Sequence, residues 1–143
     1  AATPPVMPDS ARGTTRAAAK EFVRYYVDVL NDAASTGETT QLRELAHPDC
    51  KVCRGFSRYI EKVYALGGEI AGNGWVIQRL TVVGRGPEGT MAVRASVTVS
   101  SQRVVPSAGA SPSNFSGSPD QDKVFSLVSS EGLWSVVDIE TVP

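Results

Sequence analysis

The segment Cys50-Lys51-Val52-Cys53 carries the residue types with the most chemistry in them. Two sulfurs at i and i+3 on one helical turn can approach closely enough to close a disulfide, and Asp49 stands where it could cap such a helix. Three readings fit. A structural disulfide would staple the bend before the helix, contributing ~2 kcal/mol for so short a loop. A dithiol redox site would exploit a thiol pKa lowered at a helix N-terminus. Such motifs follow a strand in a βαβ unit, whereas here helical segments come before the pair and strand-like segments after it. A metal site would draw on His47, Cys50 and Cys53 with Asp49 nearby, but a fourth strong ligand is missing.

Other candidate chemistry is sparser. His47, directly before Pro48, reads as a solvated turn residue rather than a general base. No Ser or Cys stands in a nucleophile motif, so serine-hydrolase chemistry is unsupported. Asp138 and Glu140 alternate along a strand-like segment, which puts both on one face, read here as the wet one. Tyr25, Tyr26, Tyr59 and Tyr64 could donate hydrogen bonds, but at helical spacing they also suit a core. No cofactor is expected.

The elements that must position these residues follow from periodicity. Ala19, Phe22, Val23, Tyr26, Leu30 and Ala33 recur at helical spacing, predicting a long amphipathic helix over 15–34. Gly37 closes it, Thr40 can cap a short second helix carrying Leu42, Leu45 and Ala46, and Pro48 stops that one. A third helix follows the cysteines with Phe56, Ile60, Val63 and Leu66, and ends at Gly67-Gly68. The period then becomes twofold, most cleanly where Met91, Val93, Ala95, Val97 and Val99 alternate with polar neighbours. With 75–83 this strand forms a hairpin turned by Gly84, Gly86, Pro87 and Gly89, and 123–129 with 133–142 forms a second around Ser130-Glu131-Gly132. Helices first and antiparallel strands afterwards define an α+β class, with three N-terminal helices covering one face of a sheet of about four strands.

Composition bounds the rest. The 143 residues, 41% hydrophobic and 20% charged, make one ordinary globular domain over 15–143, preceded by a Pro-rich tether over 1–14 with Pro4, Pro5 and Pro8. The chain opens on Ala1 rather than Met, which reads as a processed start. A net charge of -1 with no basic cluster anywhere along the chain excludes nucleic acid as an expected partner. No apolar run approaches the ~18 residues of a membrane span. Residues 106–119, nearly all Pro, Ser, Ala, Gly and Asn, read as a flexible loop, and the sequon Asn114-Phe115-Ser116 within it reads as coincidence.

Phe22 to Tyr26, Leu30-Asn31, the Pro-Asp-Cys-x-x-Cys at Pro48 to Cys53, Gly67-Gly68 and Trp75 resemble a family of actinobacterial lipoproteins of uncharacterised function. The resemblance is specific between Lys20 and Trp75 and loose over the strands. It implies a lipidated cysteine upstream, a location outside the cytoplasmic membrane facing the cell envelope, and oxidation of Cys50 and Cys53 to a disulfide. The element order and the ending Glu131 to Val137 also resemble the nuclear transport factor-like, cystatin-like cone, a fold shared by enzymes and binding domains.

The functional expectation is a noncatalytic extracytoplasmic domain binding an envelope partner or a small apolar ligand. A small-molecule enzyme of the cone fold and a thiol oxidoreductase using the Cys-x-x-Cys pair are the alternatives. A ligand pocket is expected between the long helix and the sheet mouth, lined by Tyr26, Tyr59 and Trp75. In the last strand, strict alternation turns Leu133, Val137 and Ile139 inward and Trp134, Val136, Asp138 and Glu140 outward. Trp134 and Val136 with Arg94 would then form an amphipathic patch for homodimerisation or a partner protein.

Overall fold

A computed structural model describes residues 4–86 and 89–142; residues 1–3, at the start of the expected tether, and Pro87 of the expected turn lie outside them. The helices are α1 (Arg16–Thr36), α2 (Thr40–Glu44) and α3 (Lys51–Ala65). Thr15 caps α1 by accepting from the Ala18 N–H, and Gly37 ends it with φ at 83°, in the left-handed region where a Cβ is disfavoured. A Cβ at Gly37 would also lie 2.5 Å from the Tyr64 ring, so glycine there serves both the turn and the packing. Two caps differ from expectation. Thr39 rather than Thr40 precedes α2, and Cys50 rather than Asp49 is the N-cap of α3, its sulfur accepting from the Cys53 N–H at 3.2 Å.

The strands are β1 (Glu69–Ala71), β2 (Trp75–Arg85), β3 (Thr90–Val99), β4 (Gln102–Val105), β5 (Ser113–Phe115), β6 (Ser118–Ser130) and β7 (Leu133–Val142). The main sheet is antiparallel in the order β2-β3-β6-β7, and a smaller antiparallel sheet runs β1-β4-β5. Both expected hairpins, β2–β3 and β6–β7, are present. The second sheet escapes sequence reading because its strands are three or four residues long, too short to show a period. One of them, β5, lies inside the 106–119 stretch and pairs Asn114 with Arg103 of β4.

The core lies between helices and main sheet. Phe22, Val23 and Tyr26 of α1 meet the inward row Met91, Val93, Ala95 and Val97 of β3 and Phe125 and Leu127 of β6, all buried. The expected inward row of β3 is therefore correct. That of β7 is not: Trp134 and Val136 are buried, at 4% and 0% exposure, and Leu133 is exposed. The cause is a bulge. Leu127 pairs with Val136 and Ser126 with Asp138, so Val137 is an extra residue that resets the alternation and lets Ile139 also face inward. The expected patch of Trp134, Val136 and Arg94 does not form; only Arg94 remains on the outer face, paired with Asp122 at 2.6 Å.

The expected tether also packs in part. A 3-10 turn over Asp9–Ala11 buries Ala11, and the Gly13 N–H donates to the Gly132 carbonyl at 2.9 Å.

Candidate functional site

A cleft of about 240 Å³ opens where α1, α3 and the starts of both sheets meet. α1 contributes Leu30, Asn31 and Ala34, and α3 contributes Phe56, Tyr59 and Ile60 one turn apart. Ile70, Trp75, Val99 and Gln102 supply the strand side. The lining is mostly hydrocarbon and aromatic ring, with two amides and one phenol.

Trp75 is fixed from three directions. The Asn31 carboxamide accepts from the Trp75 N–H at 3.0 Å and donates to the Trp75 carbonyl at 2.9 Å, as a neighbouring strand would. That approach requires Gly74, with φ at 70°, because a Cβ there would stand 2.2 Å from Asn31 Oδ1. Phe56 meets the indole edge-on at 5.6 Å between ring centroids, and Lys123 Nζ sits 4.8 Å from the ring centroid. Lys123 also donates to Thr141 Oγ1 at 2.8 Å, and burial lowers its pKa. Near the cleft, Tyr64 donates to the Ala34 carbonyl at 2.6 Å and accepts from the Ile70 N–H at 3.3 Å, holding α1, α3 and β1 together.

Of the three expected pocket residues, the structure brings Tyr59 and Trp75 together and leaves Tyr26 out. Tyr26 is fully buried, packs edge-on against Phe125 at 6.0 Å, and its hydroxyl finds no hydrogen-bond partner among the described residues. Burial without a partner pushes its pKa far up. Of the cleft residues that sequence reasoning did not assign to a pocket, Asn31 and Phe56 are the two that hold Trp75 in place. Leu30-Asn31 belonged to the segment carrying the resemblance, but no local pattern links Asn31 to a residue 44 positions away.

The cysteines lie elsewhere, beneath the edge of β7. Their sulfurs are 2.05 Å apart, at bonding distance, and both residues are buried. The adjoining residues 45–47 pair with β7: the Val136 N–H donates to the Leu45 carbonyl, and the His47 N–H to the Val136 carbonyl. His47 Nδ1 accepts from the Asp49 N–H, a turn role. With the sulfurs joined to each other, neither is a thiolate for a metal. Among the described residues no group of three or more His, Cys, Asp and Glu gathers as a metal site.

No curated protein matches the chain in sequence. Among solved structures, the intermembrane space region of the chloroplast protein ARC6 is similar at a TM-score of 0.62 and 12% identity, covering 87% of this chain and 94% of that one. Aln2 from a Streptomyces species is similar at 0.51 and 11% identity, covering 83% and 85%. An NTF2-like protein of unknown function from Shewanella baltica gives 0.48 and 17% identity, covering 91% and 98%. At such identities the likeness to the first two extends to the fold alone. The sequence model of one family covers residues 2–140, nearly the whole chain, and the protein therefore belongs to the family of unknown function DUF6318.

Proposed function

We propose that this chain is a noncatalytic binding domain of the nuclear transport factor-like cone type. It works outside the cytoplasmic membrane, tethered through a lipidated cysteine upstream, and its cleft takes a small apolar ligand or an apolar side chain of an envelope partner. The observation that carries this reading is the lining of the cleft: Phe56, Tyr59 and Trp75 over an aliphatic floor, with the Asn31 amide already spent on the backbone of Trp75. Its 240 Å³ falls just below the ~300–1,000 Å³ common for small-molecule sites, which favours a compact guest. The enzyme alternative calls for an acid or base facing the cleft, and the residues lining it include no carboxylate and no imidazole. The thiol-exchange alternative calls for a sulfur open to in-line attack, whereas Cys50 and Cys53 are 0% and 1% exposed. The oxidised pair agrees with an extracytoplasmic location.

The test is titration with the neutral apolar probe N-phenyl-1-naphthylamine, read by probe fluorescence and by tryptophan quenching. Saturable binding that falls at least tenfold in both Phe56→Ala and Tyr59→Ala, with unchanged melting cooperativity, is expected. Binding of equal strength in both variants would place the probe elsewhere and overturn the assignment of this cleft.

A further inference from the structure

Charge is laid along α3 as on no other helix among the described residues. Lys51, Arg54, Arg58 and Lys62 recur at intervals of three and four residues, which aligns them along one side, while Cys53, Ser57, Ile60 and Val63 fill the buried side. The one carboxylate on this helix, Glu61, is held by Arg43 of α2 through two hydrogen bonds of 2.7 Å. Four cations against one carboxylate give α3 a net +3 in a chain of net -1, leaving -4 on everything else. By contrast α1 balances Arg16, Lys20 and Arg24 against Glu21, Asp28 and Asp32. None of the four α3 cations pairs with a carboxylate among the described residues. The sequence hides this ridge because its members are never adjacent.

Beside the ridge, on the flank toward the cleft, stand Tyr59 and Leu66, 48% and 52% exposed. We propose that this face of α3 docks on the surface of an anionic lipid bilayer, with Lys51, Arg58 and Lys62 against headgroup phosphates and Tyr59 and Leu66 at headgroup depth. A phenol and an aliphatic side chain next to flexible cations suit the boundary between water and acyl chains. A specific protein partner fits less well. A helix of 15 residues offers a strip ~22 Å long and ~10 Å wide, well short of the ~800 Å² that a stable protein interface takes from each side. A planar, diffuse negative surface needs no such area or shape, and each Lys or Arg brought near it strengthens binding about fivefold. This face shares Tyr59 with the cleft, but the inference rests on the cationic ridge and not on which guest the cleft takes or on any lipid anchor.

The experiment is co-sedimentation of the 143-residue chain, without an anchor, with phosphatidylcholine vesicles containing 30 mol% phosphatidylglycerol or none. The expected result is binding to the anionic vesicles alone, weakening as NaCl rises from 50 to 300 mM because the charges are exposed. Arg58→Glu with Lys62→Glu should reduce it at least twentyfold. Arg79→Glu with Arg103→Glu, the same charge change made on exposed strand residues, should reduce it less than threefold. Circular dichroism and thermal melting confirm that both variants fold. Equal loss in the two double variants would reduce the effect to net charge and overturn the proposal. So would equal partition onto neutral vesicles, absence of binding at 50 mM NaCl, or binding to a poly-glutamate peptide without binding to vesicles.

Discussion

A single carboxamide, that of Asn31, joins the long helix to the first strand of the main sheet by satisfying both peptide groups of Trp75. Replacing it with leucine keeps the branch at Cγ but leaves a partly buried N–H and C=O without partners, at ~1–3 kcal/mol for each group fully buried. Asn31→Leu should therefore destabilise the fold by about 2 kcal/mol in urea denaturation and shift Trp75 emission to the red as the indole loosens. A loss below about 0.5 kcal/mol would show that water replaces the amide at no cost. At this scale the sequence was legible in type and not in address. Tyr26, Tyr59 and Trp75 all stood out as large aromatics for the expected pocket, but whether such a ring lines a cleft or fills the core depends on what lies opposite. For Tyr26 that is Phe125, a neighbour set by the sheet register rather than by helical spacing.

Elements with a long, clean period were readable. α1, α3 and β3 lie within a few residues of the spans that their apolar spacing marks, because each buries one continuous face. β7 was readable as a strand but not as to its faces, since the extra residue Val137 inverts the pattern and the sequence around it carries no glycine to mark the bulge. The link between α2 and α3 has its own test. Arg43 and a hydrogen bond from Thr39 pull the Glu61 carboxyl down to about 2. The lowered value means that the pair's stabilisation is complete above the unfolded pKa, ~4.3, and is lost as pH falls toward about 2. The Glu61 side chain is 39% exposed, so solvent screening limits the gain to ~1 kcal/mol or less. Glu61→Gln should accordingly flatten the dependence of stability on pH between about 5 and 2 while changing it little in acid. Parallel curves for the two proteins would refute this origin.

For the molecule as a whole, class and hairpin order were legible, and the small second sheet was not. Residues 111–117 are exposed throughout, and β5 within them is an edge strand that pairs with β4 on one side. Chymotrypsin should therefore cut first after Phe115, 51% exposed, and mass spectrometry should find a nicked chain before any cleavage at buried Phe22 or Phe125. Early cuts elsewhere, with Phe115 spared, would mean that this stretch is better protected than its exposure indicates. The two bordering strands of the main sheet carry a different consequence. β7 is occupied along its outer side at Val136 by residues 45–47, and β2 is broken by register shifts at Gln78 and Val83 and carries Arg79 and Arg85. Neither border offers an uninterrupted ladder of free peptide groups to a strand from another molecule. The main sheet thus resists growth by edge-to-edge strand addition, the usual first step of aggregation in a sheet protein, even when the chain is crowded at high local density.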